Sequence, residues 1–477
     1  MRAEPLQNAI GMIDADLVER SEKTMKKKKR MKFTAVIAAV LVCAVGIGIF
    51  FGNQSPFVLS LHAISSAEYP KMEKYPAGIY LFNRNAWISD QKKQHAYFGA
   101  GEGLDGFICA TASEILSGDG TENRVYSPMS IYMALAMLAE VSDGNTRAQI
   151  LHLLGTENME ALRVQANAVW NANYNDDGAV TSILANSLWL DSELPYNKDT
   201  LELLAENYFA SSYQGKMGSD SMNRALRAWL SEQTGNNLKK QTEKISFDPQ
   251  TVLGLASTLY FRAKWSDEFS KSKTEKEIFH GTNGDVTVPF MKKAIRNGRY
   301  YWGEKFSASS CHLEGSGRMI WILPDENISP EMLLQDEEAL RFISSAGNAQ
   351  GAWENKKDLK VNLSVPKFDV SFQTDLCENL KNLGVTDCFS DVLADFSPLW
   401  KESAETDPLA VGEMQHGTRV TIDEEGVTGM SYTVIEIGAT SAAPPDDEVD
   451  FTVDRPFLFV ITGEDGSVLF IGVVNRL

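Results

Sequence analysis

VTIDEEGVTGMSYTVIEIGATSAAPPDDEVDF, Val420 to Phe451, is the stretch on which the reading of this chain turns. Val420 and Ile422 alternate with Thr421 and Asp423 as at the end of a strand, and Glu424, Glu425 and Gly426 break the alternation. From Val427 to Ile437 the residues are again β-prone, with Val, Thr, Tyr and Ile and no proline. Small residues follow from Gly438 to Ala443, and Pro444 to Glu448 closes the stretch. A segment with the chemistry of a strand therefore lies between two breaks. It reads as an exposed strand that has not entered its sheet.

Outward from that stretch, composition sets the bounds. The 477 residues suffice for one large domain or two to three ordinary ones, and a 43% hydrophobic content allows a sizeable core. A net charge of −19 lacks the basic footprint that nucleic acid needs, so no nucleic-acid partner is expected. Cys43, Cys109, Cys311, Cys377 and Cys388 show no CxxC spacing, and their odd number predicts buried free thiols rather than a disulfide framework.

The N-terminus carries Lys23, Lys26 to Arg30 and Lys32, then an uncharged run from Phe33 to Phe51. A helix of that length spans roughly 28 Å, close to a bilayer core of about 30 Å. A cleaved signal peptide fits less well, because the basic region starts late and no Ala-x-Ala site follows. No Lys or Arg follows the run until Lys71, so residues 1–32 are expected to be cytoplasmic and the remainder extracytoplasmic on a single-pass anchor, 33–51. Residues 52–100, with Pro56, Pro70 and Pro76 and no sustained period, read as a tether, either lying on the domain or standing off the membrane.

Gly101, Gly103 and Gly106 match GxGxxG, but no strand-like run precedes them, so a flexible lead into a helix is the better reading. That helix is expected over Leu104 to Leu116. Ser127 and Pro128 form an N-cap and a first helical residue, and the all-round apolar run from Ile131 to Ala139 predicts a centrally buried helix. Thr146 with Gln149 reads as a capping box for a further helix that stops at Gly155.

From here the chain resembles the serpins, in a membrane-anchored, bacterial-like form. The resemblance rests on NRVYSPMSIYMALAML (Asn123 to Leu138) with GNTRAQI (Gly144 to Ile150), ANSLWL (Ala185 to Leu190) and AWLSEQTG (Ala228 to Gly235). It continues in order through LYFRAKW (Leu259 to Trp265), VPFMK (Val288 to Lys292), WILPDE (Trp321 to Glu326) and LSVPKF (Leu363 to Phe368). LGVTD (Leu383 to Asp387), the hinge from Asp423 to Gly426 and RPFLF (Arg455 to Phe459) complete it. Each piece is weak alone; together, in one order over 101–477, they are specific. Independently, helical runs dominate up to Gly235. Strand-like runs then follow at Val252 to Phe261, Met319 to Leu323, Val361 to Val365, Phe457 to Thr462 and Val468 to Val474. That order suits an α+β fold. The resemblance implies three β-sheets, eight or nine helices, and a reactive loop at about 424–445 above the central sheet.

Catalytic alternatives are poorly supported. HExxH, GxSxG and Walker motifs are absent, and the six histidines are scattered. Asp423, Glu424 and Glu425 could form an acid/base pair or metal site, but neighbours on an extended chain point to opposite faces, so an exposed hinge is the better account. No enzyme activity, metal or cofactor is expected.

The resemblance implies inhibition of serine proteases by cleavage of the loop and insertion of its N-terminal arm into the central sheet, the protein acting as a monomer. It places the hinge at Glu424, Glu425, Gly426, Val427, Gly429 and Ser431. Val427 departs from the family's Thr or Ser, and Met430 and Tyr432 are bulky, yet alternation puts Val427, Gly429, Ser431 and Thr433 on one face, the one that turns inward. Counting about seventeen residues from Glu424 puts the reactive bond at Thr440–Ser441, with Ala439–Thr440 and Ser441–Ala442 as neighbouring choices. A small residue before the bond, and no Lys or Arg from Val427 to Ala443, imply elastase-like or subtilisin-like targets. For opening of the sheet, the resemblance pairs Glu424 with Lys292 beneath Trp265, and groups His416 with Ser127 and Ser130, where Ser257 replaces the usual Asn. The alternative is a non-inhibitory binding or structural protein at the cell surface.

Overall fold

In a computed structural model of the chain, the described residues are 59, 62–76, 83–234, 245–249, 251–345, 353–400, 409–412, 414–427 and 447–477. The chain divides into Met1–Ser60, in which Leu59 alone is described, and Leu61–Leu477. The expected anchor, 33–51, lies outside the described residues. Among those described, no helix is long and apolar enough to cross a membrane.

Leu61–Leu477 contains ten helices among the described residues: α1 (Arg84–His95), α2 (Asp105–Leu116), α3 (Pro128–Glu140), α4 (Gly144–Leu154), α5 (Met159–Asn173), α6 (Lys198–Tyr208), α7 (Asp220–Gln233), α8 (Pro330–Leu333), α9 (Glu337–Ser345) and α10 (Cys377–Asn382). The strands are β1 (Ala63–Ser65), β2 (Arg124–Tyr126), β3 (Asn175–Asp176), β4 (Thr181–Asp191), β5 (Ala210–Gly215), β6 (Leu253–Lys264), β7 (Glu275–Gly281), β8 (Gly284–Trp302) and β9 (Phe306–His312). They continue with β10 (Arg318–Pro324), β11 (Lys356–Pro366), β12 (Phe368–Asp375), β13 (Gln415–Ile422), β14 (Gly426–Val427), β15 (Glu448–Thr452), β16 (Phe457–Thr462) and β17 (Val468–Val474).

The strands form two sheets, not three. One runs β1-β5-β4-β6-β14-β13-β12, with β3 on β4; the other runs β15-β11-β8-β9-β10-β16-β17-β2, with β7 on β8. The merger has a plain cause. β8 is 19 residues long and pairs with β7 and β11 along much of its length and with β9 at its far end, so one strand belongs to both parts of the second sheet.

Helix α3 lies between the sheets, packed against β6 of one and β17 of the other, which is why its sequence is apolar on every side. Ser127 caps it, its hydroxyl accepting from Ser130 N–H at 3.3 Å, with Pro128 as first residue. At the other end, buried Glu140 accepts two hydrogen bonds from Arg163 (2.8 and 2.6 Å) and one from the Tyr208 hydroxyl (2.9 Å), tying α3 to α5 and α6.

One local expectation is corrected and another is resolved. Thr146 and Gln149 do not form a capping box: α4 begins at Gly144 after Asp143, and Gln149 instead binds Asp387 and the Thr386 N–H. Of the two courses open to the tether, residues 62–76 and 83–100 take the one along the domain. Strand β1 pairs antiparallel with β5, with Ala63 opposite Tyr213, and His62 bridges the Gln214 carbonyl (3.0 Å) and Ser221 Oγ (2.9 Å). The Tyr69 ring packs on Trp170 and Tyr174, and the Trp87 indole donates to Asp177 at 2.9 Å. The GxGxxG run begins in the turn after α1 and ends in the first two residues of α2, with no strand before it.

Candidate functional site

The site is the gap between β6 and β13 in the eight-stranded sheet. On their outer sides β6 is paired with β4 from Leu253 to Arg262, and β13 with β12 along its whole length. Among the described residues no ladder joins β6 directly to β13; only β14 bridges them, through Gly426 opposite Lys264, Val427 opposite Ala263 and Ile422 opposite Val427. Beneath that bridge lies a cavity of about 270 Å³, lined by Ser127, Ser130, Ser257, His416, Val427 and Phe470 among others.

The hinge is thus not wholly exposed. Its first two residues already stand in the sheet, and Val427 is only 2% exposed. Asp423 makes the turn that brings them there: its carboxylate accepts from Glu425 N–H (2.8 Å) and Gly426 N–H (3.3 Å), and its own N–H donates to Gly426 O. Glycine at 426 is required by space. A Cβ there would meet the Ala263 carbonyl oxygen at 2.4 Å, so any side chain would push the hinge off β6.

The two neighbouring acids divide between interior and surface. Glu425 is half-buried and pairs with Lys271 at 2.8 Å. Glu424 is buried, accepting from Thr274 Oγ1 (2.8 Å) and Lys367 Nζ (2.7 Å). Burial alone would raise the Glu424 carboxyl, but the Lys367 ammonium and the Thr274 hydroxyl outweigh it and hold the group below the usual carboxylate range. The Lys292 pairing is therefore corrected: Lys292 binds Glu275 (2.6 Å) and Glu277 (2.5 Å) on β7, and Lys367 is the hinge partner. Trp265 is buried over this corner, its indole donating to Asp423 O at 2.8 Å and its ring packing on Trp321 and Phe269.

Below the hinge, His416 Nε2 accepts from Ser127 N–H (3.2 Å) and faces Thr418 Oγ1 (2.8 Å), while Ser130 Oγ donates to Ser127 Oγ (3.2 Å). Burial pushes the imidazole down to about 4, so it is neutral at physiological pH and serves as an acceptor. Ser257 Oγ and the neighbouring Thr258 Oγ1 have no hydrogen-bond partner among the described residues. Gly429, Ser431 and the bond at Thr440–Ser441, with its neighbours Ala439 and Ala442, lie outside the described residues. The chain re-enters at Asp447, which pairs with Lys357, and β15 then runs parallel to β11 with Glu448 on Lys360 at 2.7 Å.

Comparison with known proteins agrees with this architecture. The model of the family described as "Serpin (serine protease inhibitor)" matches residues 103–477. Serpin-ZX of Arabidopsis thaliana is 29% identical over 364 residues, 74% of this chain and 91% of that protein. Among solved structures, native tengpin, a thermophilic serpin, superposes with a TM-score of 0.69 at 24% identity, covering 87% of this chain and 100% of its own. Human thyroxine-binding globulin complexed with its hormone does so at 0.64 and 20%, covering 79% and 99%. These two likenesses speak for the fold alone; the match over residues 103–477 speaks for ancestry, and the chain belongs to the serpin family.

Proposed function

We propose that the chain is an irreversible suicide-substrate inhibitor of serine proteases with a small specificity pocket, elastase-like or subtilisin-like, held outside the cell by a single-pass anchor at 33–51. The observation that carries this reading is the hinge: Gly426 and Val427 already bridge β6 and β13, above a gap between the same two strands that no described strand fills.

In this reading the protease serine oxygen attacks the Thr440 carbonyl carbon. The amide bond to Ser441 breaks, its nitrogen leaves as an amine with a proton from the protease histidine, and Thr440 becomes an acyl ester on the protease. The freed arm then continues β14 down the gap. About ten new ladder hydrogen bonds at roughly 1 kcal/mol each supply on the order of 10 kcal/mol, before apolar burial is added. Gain on that scale outweighs deformation of a bound protease.

The test is to mix the purified full chain with pancreatic elastase, a subtilisin and trypsin. An SDS-stable complex with the first two and not with trypsin is expected, with a released peptide that begins at Ser441. A cut outside Ala439 to Ala442, or trapping of trypsin, refutes the assignment. Bulky Met430 and Tyr432 favour the second reading, a non-inhibitory binder at the cell surface, which predicts a cleaved loop and no complex with any protease. Orientation is tested separately: protease added to intact cells must digest residues 62–477, and protection would refute the anchor's direction.

A further inference from the structure

Away from the gap, the pairing of β1 with β5 brings together two side chains from distant parts of the sequence. His62 Nε2 lies 2.9 Å from the Ser221 hydroxyl, and His62 Nδ1 lies 3.0 Å from the Gln214 carbonyl oxygen. A carbonyl oxygen only accepts, so Nδ1 carries the proton and donates. Nε2 of the neutral ring is then the acceptor, and Ser221 Oγ donates to it. The backbone of β5 therefore sets the tautomer. The result is the order of an activated hydroxyl: a nucleophile, a base within hydrogen-bond reach, and a third group that orients the base.

The ring is held on both sides. The His62 carbonyl accepts from Gln214 N–H at 2.7 Å, so backbone and side chain of His62 clasp the same residue of β5. Glycine at 215 leaves room for the imidazole, since a Cβ there would meet His62 Nδ1 at 2.6 Å. Ser221 stands in the first turn of α7, a helix of 14 residues that Ser219 caps by accepting from Met222 N–H at 3.3 Å. The remaining N–H groups of that turn, on Asp220 and on Ser221 itself, have no partner among the described residues. They are donors for negative charge developing on an atom bonded to Ser221 Oγ. His62 and Ser221 are both half-buried, so small molecules reach the pair from solvent.

We propose that Ser221 and His62 form a second reactive centre, which takes the acyl group from small carboxylic esters with a good leaving group, such as phenyl esters. Ser221 Oγ attacks the ester carbonyl carbon as its proton passes to His62 Nε2, and the carbonyl oxygen becomes an oxyanion. The bond to the leaving oxygen then breaks, and the phenol departs with the proton from Nε2. Water attacks the acyl-serine in the same way, giving one proton to Nε2; the carbon–Oγ bond breaks, Oγ takes that proton back, and the carboxylic acid leaves. The Gln214 carbonyl holds Nδ1–H throughout. Being neutral, it supports the imidazolium less than a carboxylate does, which confines the centre to activated esters and excludes amides. The inference does not depend on whether the chain inhibits a protease.

The test is to incubate the purified full chain with p-nitrophenyl acetate, follow release of the phenolate, and locate acetyl groups by mass spectrometry of the quenched, digested protein. Acetyl on Ser221 is expected, with turnover above that of free imidazole at the same concentration. Ser221→Ala should abolish that turnover, and His62→Gln should slow acetylation of Ser221 by about a hundredfold. Thermal melts run beside both variants, because the pair also ties the start of β1 to α7. A purely structural hydrogen bond would shift the melts and leave Ser221 without acetyl, which would overturn the proposal. Acetylation of Ser221 at an unchanged rate in a folded His62→Gln chain would overturn it equally. Should a variant fail to fold, the presence or absence of acetyl on Ser221 in the wild-type chain decides.

Discussion

Replacing Lys367 by Met removes the ammonium from Glu424 while keeping the length of the side chain. What remains is a carboxylate on a residue 6% exposed, with Thr274 as its other side-chain partner. Breaking a fully buried ion pair costs about 3–5 kcal/mol, and an exposed one about 0–1 kcal/mol. The Lys367 side chain is 34% exposed, so water can recover part of the loss and the expected cost is about 2 kcal/mol, roughly thirtyfold in the folding equilibrium. That cost falls on the corner where β14 holds β6 and β13 together. Lys367→Met should therefore lower the urea midpoint and form chain-into-sheet polymers on mild heating, read on native gels. Lys292→Met should do neither, because Lys292 serves Glu275 and Glu277 instead. Adding Glu424→Gln to Lys367→Met should cost less than the sum of the two, since they share one interaction. The sign with pH follows from the depressed Glu424 carboxyl: its contribution is present above the unfolded pKa and is lost as pH falls through the folded one. The difference between Lys367→Met and wild type should fade below about pH 4. Equal behaviour of the two lysine variants, or earlier polymerisation of Lys292→Met, would refute the reasoning.

Three further outcomes are expected. The His416 imidazole, pushed from 6.5 to about 4 by burial, is charged more readily in the unfolded chain, so stability should drop by roughly 3 kcal/mol as pH falls from 6.5 to 4; His416→Gln should flatten that part of the urea-midpoint profile, and an unchanged slope counts against it. Val427→Arg must place a charge where Val427 is now buried, which should expel the hinge and turn the chain into a cleaved substrate; SDS-stable complexes at wild-type yield would contradict this. Arg163→Met strands Glu140, which is 3% exposed, with the Tyr208 hydroxyl alone among its side-chain partners, and should cost about 3 kcal/mol in thermal or urea unfolding, against near-neutrality if the pair were superficial.

The parts of the fold that sequence made legible are those where local chemistry and tertiary demand agree. Ser127–Pro128 caps α3 because those residue types suit those positions, and the all-round apolar run is all-round buried. Phe457–Thr462 and Val468–Val474 are strands over the very residues whose β-propensity marked them. Elsewhere the deciding contact is not local. LSVPKF and VPFMK each offer a lysine within three residues of a proline, and they are neighbours in space, since Lys367 N–H donates to Pro289 O. Which lysine turns toward Glu424 depends on side-chain direction, which spacing does not record. Helix α1 escaped notice because its buried face carries Gln91 and Gln94 rather than an apolar stripe, and β1 is three residues long. Gln149 looked like a capping residue because sequence cannot show that Asp387, far along the chain, lies within reach.

The two inserted residues change the expected kinetics of loop entry. A strand entering a closed sheet must first separate two ladders and fix several dihedrals before a hydrogen bond rewards it. Here Gly426 and Val427 have already made that start, and among the described residues β6 and β13 below them are paired only on their outer sides. Under the proposed mechanism each further residue then adds its bonds next to a formed pair, as in helix propagation after nucleation. The gap is also chemically prepared for such a strand. Ser257 Oγ and Thr258 Oγ1 lack partners among the described residues, and the gap is lined further by Ser127, Ser130 and Thr418. The residues due on the inward face after Val427 are Gly429, Ser431 and Thr433, small enough to enter and, at Ser431 and Thr433, able to hydrogen-bond on the face that Ser257 shares with Ala263; Thr258 alternates to the other face, that of Met430 and Tyr432. The bulky Met430 and Tyr432 would stand on the opposite face, where they need not fit between the sheets. The departure of the hinge from Thr or Ser to Val427 is explained in the same terms. In the uncleaved chain Val427 is already buried and lines the same cavity as Phe470 and Ile461, so its apolar side chain stabilises the bridge at the head of the gap.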